Sequence, residues 1–267
     1  MKLKFSIIQL TCWLLLQHSL FGGISVVGSL ARTQDVEPGK TFEGDIMVQN
    51  NGDTAADVRI HQRDYLFLAN GQNTYGDPGS APRSNAGWFT VSPPRLTVRP
   101  HESLSVHYRG TAPANPLLNG TYWSIIVVEP ATPPPSSIDP KDPDHKLGIH
   151  SVIRFAVQIV TEVPGGRPNL KVAGRKLLKA EGRQTLQVDL ENTGEKLLIP
   201  AVWAELFDAK GASIGKFQSN KARIYPGCSV RHLLDFSKAP KGDYTALLVM
   251  DGGGDQVMAA QYQLNLE

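Results

Sequence analysis

One pattern occurs twice in this chain of 267 residues: a turn, then a glycine, any residue, a tyrosine and an apolar run. The copies span residues 117–128 (LLNGTYWSIIVV) and 240–250 (PKGDYTALLVM). The apolar run of the first copy is too short and too β-branched for a helix, so it predicts a buried central strand. A tyrosine near the start of such a strand can bond back to upstream backbone and fix the corner between two sheets. We therefore predict tyrosine corners at Tyr122 and Tyr244, and two corners indicate two β-sandwiches.

The remaining sequence favours an all-β fold, with two immunoglobulin-like β-sandwich domains in tandem. Its 25 glycines and 19 prolines are spread along the chain, as expected for short strands joined by turns, and no segment keeps a helical period. Apolar and polar residues alternate instead, for example over 42–48 and 186–190, as in half-buried strands. We place the first domain at residues 24–164, a hinge at 165–168 and the second domain at 169–267.

Residues 1–23 have the pattern of a secretory signal peptide. Two lysines precede a mostly apolar stretch, and small residues end it at Gly22 and Gly23, where cleavage is expected. Residues 29–31 are an alternative cleavage site, and an uncleaved anchor helix is the alternative to cleavage. The mature protein is expected to be exported and not to span a membrane.

The sequence offers little chemistry for catalysis. Cys228 is the only cysteine after the predicted signal peptide, so an intramolecular disulfide is impossible. We interpret it as a small buried residue, with a reactive thiol as the alternative. No catalytic motif, phosphate loop or metal-ligand spacing is present, and the formal charge of +2 does not indicate a nucleic-acid binder. The chain is expected to be no enzyme and to use neither cofactor nor metal.

Three segments occur in an order that a known family shares. They are residues 28–33 (GSLART), 89–100 (FTVSPPRLTVRP) and 147–164, the last of which follows a proline-rich loop. With them, the first half of the chain resembles the N-terminal domain of the PapD-like periplasmic chaperones, which have two immunoglobulin-like domains. The resemblance is detailed over 24–164 and only architectural over 167–267. It implies a periplasmic, non-enzymatic chaperone that binds a protein client, a pilus or surface-fibre subunit, by β-strand addition.

The resemblance also implies two basic residues in the interdomain cleft that hold the terminal carboxylate of the client. The early one corresponds to Arg32, in the pattern Leu-x-Arg-Thr, and the later one to Arg154, where the family usually has lysine. Neither arginine has an acidic neighbour in sequence, so we expect an anion between them. The alternative is that each is an ordinary surface or structural arginine.

The last strand of the first domain is predicted over residues 147–163, bordered by the proline-rich loop. Its apolar face is the predicted surface for pairing with the client strand. This face consists of Ile149, Ile153, Phe155, Val157 and Ile159.

A second hypothesis belongs to a different class: a structural or adhesion module that binds a cell-envelope protein or glycan, with the cell surface as the alternative location. It would use the loop 69–87, with Tyr75 and Trp88 as the contact residues. A chaperone should leave the long strand at an accessible edge, whereas an adhesion module should cover that edge and expose aromatic loop residues.

Overall fold

The computed structural model describes residues 23–131, 152–180 and 183–267. The predicted signal peptide up to Gly22 lies outside the described residues, and so does Ile149. The described part folds almost entirely into strands, with one short 3-10 turn at Ala86–Trp88. The strands are β1 (Ile24–Val27), β2 (Ala31–Asp35), β3 (Thr41–Asn50), β4 (Ala56–Phe67), β5 (Asn73–Gly76), β6 (Phe89–Ser92), β7 (Arg95–Val98), β8 (Ser103–Thr111), β9 (Gly120–Pro130), β10 (Phe155–Val163), β11 (Leu170–Ala180), β12 (Arg183–Asn192), β13 (Ala201–Phe207), β14 (Ser213–Gln218), β15 (Ser229–Asp235), β16 (Gly242–Asp251) and β17 (Val257–Leu266).

The first ten strands form a β-sandwich. One sheet has the order β1-β3-β8-β6, and the other has the order β2-β10-β9-β4-β5 with β7 beside β4. Alternating apolar residues of both sheets meet between them, because successive side chains of a strand point to opposite faces. The buried core includes Ile46, Val48, Val58, Ile60, Val106, Ile126, Val128, Val157 and Ile159.

The second sandwich is built from β11 to β17. Its sheets have the orders β11-β12-β15 and β14-β13-β16-β17. Tyr244 lies at the start of the central strand β16, and its hydroxyl donates to the carbonyl of Pro240 at 3.0 Å, which is the geometry of a tyrosine corner. The predicted all-β fold of two tandem sandwiches is confirmed. Among the described residues, no helix has the length and apolar character needed to cross a membrane.

The prediction of a tyrosine corner at Tyr122 is wrong. Its hydroxyl makes no hydrogen bond to a described residue, and its ring lies 4.7 Å from the ring of Trp88 and under the guanidinium of Arg83. The chain before this tyrosine is held by a side chain instead, because Arg83 donates to the carbonyl of Asn119 at 2.8 Å. The backbone N–H of Thr121 donates to the carbonyl of Glu195 in the second domain at 2.8 Å. The turn that resembles a corner in sequence is therefore a contact between domains.

The predicted last strand of the first domain is shorter than expected. Residues 152–154 are not part of a strand, and β10 begins at Phe155, which pairs with Val128 of β9. β9 itself ends two residues later at Pro130. Proline has no N–H for a ladder hydrogen bond, so the pairing ends there.

The two domains share one apolar cluster. Trp123 and Val160 of the first sandwich pack together with the core of the second, and Phe67 contacts the same cluster. The rings of Trp123 and Tyr225 stack with centroids 4.1 Å apart. The Tyr225 hydroxyl also donates to the side chain of Gln158 at 2.7 Å. An interface of this apolar character opposes free movement of the domains about the linker at 164–169.

Candidate functional site

The most unusual feature of the first sandwich is an incompletely paired strand. β10 pairs with β9 along its whole length, but on its other side β2 runs parallel to it only from Gln158 to Glu162. The N–H of Gln158 donates to the carbonyl of Leu30 at 2.8 Å, and this bond starts the pairing. No described strand lies beside the preceding residues. We call Val152–Val157 on this side the free edge.

The hydrogen bond from Gln158 to Leu30 shows which way the backbone N–H and C=O groups point along the free edge. Alternate residues of a strand direct their N–H and C=O groups to the same side. Because Gln158 points towards β2, the N–H and C=O of Ala156 point the same way, past the start of β2. Arg154 precedes the regular strand, so the ladder defines this alternation only from Phe155 onwards. The free edge therefore presents main-chain donors and acceptors to which no described residue is bonded.

The predicted pairing face divides into two parts. Val157 and Ile159 are fully buried in the core of the first sandwich, and Phe155 packs partly against it, so these side chains are not exposed to a partner. Ile153 differs, because 52% of its surface is exposed, and its neighbour Val152 is 42% exposed. The apolar side chains that a partner can reach are thus at the beginning of the free edge.

Arg32 lies in β2, directly beside Ile159. Its guanidinium turns back along the chain, with Nη2 3.5 Å from the carbonyl of Val27 and close to Gly28. This brings the charge towards the point where β2 begins and the free edge ends.

Arg154 lies elsewhere. Its Nε forms an ion pair with Oε2 of Glu129, 2.7 Å away, and Glu129 accepts a hydrogen bond from Nε of Arg59 at 2.9 Å. These three residues occupy the outer face of the sheet, whereas Arg32 shares the face of Ile159, the core face. The four residue steps from Phe155 to Ile159 span about 13 Å of strand. The structure therefore does not bring Arg32 and Arg154 together, and Arg154 pairs instead with Glu129, which is distant from it in sequence.

Glu129 is the centre of a small charged cluster. Only 6% of its side chain is exposed, and although burial alone raises the pKa of a carboxyl, the hydrogen bond and charge of Arg59 and the charge of Arg154 hold the Glu129 pKa below its usual value. His61 lies beside it, with Nδ1 3.8 Å from Oε1. Burial lowers the pKa of His61, so this ring favours its neutral form. Two guanidinium groups thus share one carboxylate.

Sequence reasoning missed Glu129 and Arg59. Arg59 has the same strand phase as His61, and this phase is visible in the sequence as the polar face of β4. The pairing of Arg59 with Glu129 depends on the register between β4 and β9, which are 70 residues apart in sequence. No local signal specifies that register.

The loop of the adhesion hypothesis is largely fixed in place. The buried carboxylate of Asp64 accepts hydrogen bonds from the hydroxyls of Ser80 and Ser84 and from a backbone N–H between them. Trp88 is half-buried against Tyr122. Tyr75 alone meets the expectation of exposure, because 58% of its surface is open.

Other chemistry in the described residues is sparse. No group of three His, Cys, Asp or Glu side chains is placed to hold a metal ion. Cys228 is fully buried, and burial raises its pKa to about 11, which keeps the thiol protonated and unreactive. A pocket of about 470 Å³ lies between the domains, but it mixes the acids Asp35, Glu37 and Glu162 with Lys40 and Lys196.

The sequence matches no protein-family model and no curated protein. Solved structures similar to this chain include a chaperone–tip adhesin complex of CFA/I fimbriae biogenesis, with 12% identity, a TM-score of 0.46, and coverage of 90% of this chain and 98% of that chain. Another is the CsuC–CsuE chaperone–tip adhesion subunit complex of the Csu pili of Acinetobacter baumannii, with 13% identity, a TM-score of 0.42, and coverage of 89% and 97%. The E. coli chaperone DraB has 16% identity, a TM-score of 0.38, and coverage of 92% and 98%. The predicted resemblance to PapD-like pilus chaperones is confirmed as a likeness of fold.

Proposed function

We propose that this protein is a non-enzymatic, exported chaperone-like protein of the periplasm that binds an extended segment of a client chain at the free edge of β10. The observation that supports this most directly is that no described strand pairs with this side of β10 before Gln158. An exposed row of main-chain donors and acceptors is a template for another strand, and natural proteins usually protect such edges.

Strand addition would give hydrogen-bond partners to the main-chain groups of the free edge. A client segment laid beside β10 can exchange hydrogen bonds with the N–H and C=O of Ala156 and Arg154. Its side chains on the core face would meet the exposed surface of Ile153, and Leu30 is also exposed close by. Burial of apolar surface at about 25 cal/mol per Å² would then add to the main-chain bonds.

Arg32 gives the added strand a natural end. The client segment must stop where β2 begins, and the guanidinium of Arg32 turns back towards that point. A terminal carboxylate placed there would receive a charge-assisted hydrogen bond. In this proposal Arg32 holds the chain end alone, without Arg154. The class of client, a pilus or surface-fibre subunit, rests on the sequence resemblance.

A site-specific cross-link tests the proposal. Ile153→Cys places a thiol at the exposed start of the free edge, and Cys228 is too buried to compete. Protein with this substitution, recovered from the periplasm, should form a disulfide with an extended segment of a fibre subunit that carries an introduced cysteine. Leu233→Cys, on an exposed position of β15, is the matched control. Equal cross-linking at both positions, or none at position 153, would reject strand addition at this edge.

The adhesion hypothesis keeps one supporting observation. The exposed ring of Tyr75 stacks on Tyr65 with centroids 4.9 Å apart, and such a ring can pack against a sugar face or an apolar side chain. Tyr75→Ala should leave client cross-linking unchanged if the chaperone proposal is right. Loss of binding to cell-envelope material in this variant, with cross-linking absent throughout, would favour adhesion.

A further inference from the structure

The guanidinium of Arg154 has N–H donors that are bonded to no described residue. Its Nε forms an ion pair with Oε2 of Glu129, while Nε and Nη2 of Arg59 both donate hydrogen bonds to the other oxygen of that carboxylate. No described residue accepts a hydrogen bond from either Nη of Arg154. The side chain is 68% exposed, so these donors face solvent next to the free edge.

The charges of the cluster do not cancel. Glu129 supplies one negative charge, and Arg59 and Arg154 supply two positive charges. Because Arg59 contacts Glu129 through two nitrogens, it neutralises most of the charge of the carboxylate, and Arg154 keeps a net attraction for another anion. His61 adds nothing in its neutral form.

The free edge determines what can approach Arg154. Residues directly opposite each other on neighbouring strands have Cβ atoms about 4.5–5.5 Å apart, and opposite charges at such positions attract. A strand added to β10 would place one residue of its outer face opposite Arg154 and the next, two residues along, opposite Ala156. Val127 lies beside Ala156 on this face, so that second position is apolar.

We propose that Arg154 selects client segments with an aspartate or glutamate at the position opposite it, and that Arg59 is a positioning residue that acts through Glu129. The inference rests on the proposed function, since the acidic side chain belongs to the added strand. The acidic group is thus a side chain on the outer face of the sheet, at least 13 Å of strand away from the chain end at Arg32.

Peptide binding separates this inference from the function on which it rests. The probes are ten-residue peptides of threonine, valine and serine, each with one glutamate at a successive position, and each paired with the same peptide carrying glutamine. Dissociation constants are measured by fluorescence anisotropy at low and high salt. For one position, the wild-type protein should bind the glutamate peptide about fivefold more tightly than its partner, and salt should reduce the difference.

Three variants, each checked for folding by circular dichroism, locate the effect. Arg154→Gln should abolish the preference for glutamate, and Arg59→Gln should reduce it, because Glu129 then draws on Arg154 alone. Arg63→Gln is the matched control: Arg63 lies on the same strand and face as Arg59 but is bonded to the exposed Asp77. It should keep the full preference.

Three other results would contradict the inference, and they differ in what they imply for strand addition. Equal binding of every glutamate and glutamine pair would overturn the role of Arg154 and leave strand addition standing. Binding of no peptide at all would overturn strand addition and this inference with it. A loss of preference in Arg63→Gln as large as in Arg154→Gln would show a general charge effect and also overturn the inference.

Discussion

The rings of Trp123 and Tyr225 stack across the domain boundary, with their planes inclined by only 15°. Trp123 belongs to the central strand β9, and the hydroxyl of Tyr225 holds Gln158 of β10. Burial raises the pKa of Tyr225 to about 12, so the phenol stays protonated and continues to donate near neutral pH. Since β10 also carries the free edge, the second domain fixes the strand that we propose receives the client.

A close backbone approach between the domains predicts an unequal effect of two glycine substitutions. Gly120 has φ +71°, and a Cβ there would lie 2.2 Å from the carbonyl oxygen of Glu195. Gly211 has φ +80° but open space around it. Gly211→Ala should therefore cost only the backbone strain, about 1 kcal/mol of unfolding free energy, whereas Gly120→Ala should cost clearly more. Urea denaturation measures both, and equal costs would contradict the described domain contact.

The two tyrosines of the repeated pattern should respond differently to removal of their hydroxyls. Tyr244→Phe loses the hydrogen bond to Pro240 and should lower the unfolding free energy by about 0.5–1.5 kcal/mol. Tyr122→Phe loses no bond to a described residue and should change it by less than about 0.5 kcal/mol. Denaturant midpoints of the two variants provide the comparison. A larger loss for Tyr122→Phe would restore the corner that the sequence suggested.

Local sequence patterns predicted strand positions correctly where the pattern of a single strand and its turn is sufficient. The alternation over 42–48 corresponds to β3, and that over 186–190 lies in β12. The Tyr244 pattern indicated both the central strand β16 and its corner. In each case a period of two or a short turn motif is sufficient, because burial of one strand face constrains the sequence directly.

The candidate site could not be predicted in the same way. Arg154 was singled out from sequence, but its partners Glu129 and Arg59 lie on strands whose register no local pattern specifies. The start of β10 at Phe155 depends on Pro130 of the neighbouring strand. The contact of the turn before Tyr122 with the other domain depends on Glu195. These features follow from long-range packing, which a single sequence does not display.

A buried histidine predicts a loss of stability in mild acid. His232 is almost fully buried, and burial lowers its pKa from 6.5, although a backbone hydrogen bond partly opposes this. The folded state then holds the ring neutral, while the unfolded state binds a proton once the pH falls below about 6.5. The contribution of the neutral His232 ring to the unfolding free energy is therefore complete above pH 6.5. It is lost as the pH falls from there towards the lowered pKa.

The variant His232→Gln should flatten the pH dependence of the unfolding free energy between pH 7 and 5.5, even if it lowers stability at every pH by removing the bond to Ser219. His61 is also shifted downwards, so part of the slope should remain. An unchanged slope in His232→Gln would mean that this ring accepts its proton in the folded state as easily as in the unfolded one.

The last prediction concerns the backbone of the free edge itself. Ala156→Pro removes the N–H that points past the start of β2, and it leaves the bonds of β10 to β9 intact because that N–H does not face β9. The proline fixes φ near −65°, which an edge position of a strand can accept. The variant should therefore fold, with a change in unfolding free energy of no more than about 1 kcal/mol, but it should bind an added strand more weakly.

A matched proline in the second domain controls for the substitution. The N–H of Gly252 donates to the carbonyl of Gln256, so the backbone groups of Gln256 and of every second residue after it point towards β16. Gln263 has the opposite phase, and its N–H therefore points away from β16. Gln263→Pro also removes the exposed side-chain bonds to Thr245, so it should lose at least as much stability as Ala156→Pro, and it should bind client segments like the wild type. Cross-linking and peptide affinity of the two folded variants decide the matter. If Ala156→Pro captures a client segment as well as Gln263→Pro does, main-chain pairing at this edge does not contribute to binding.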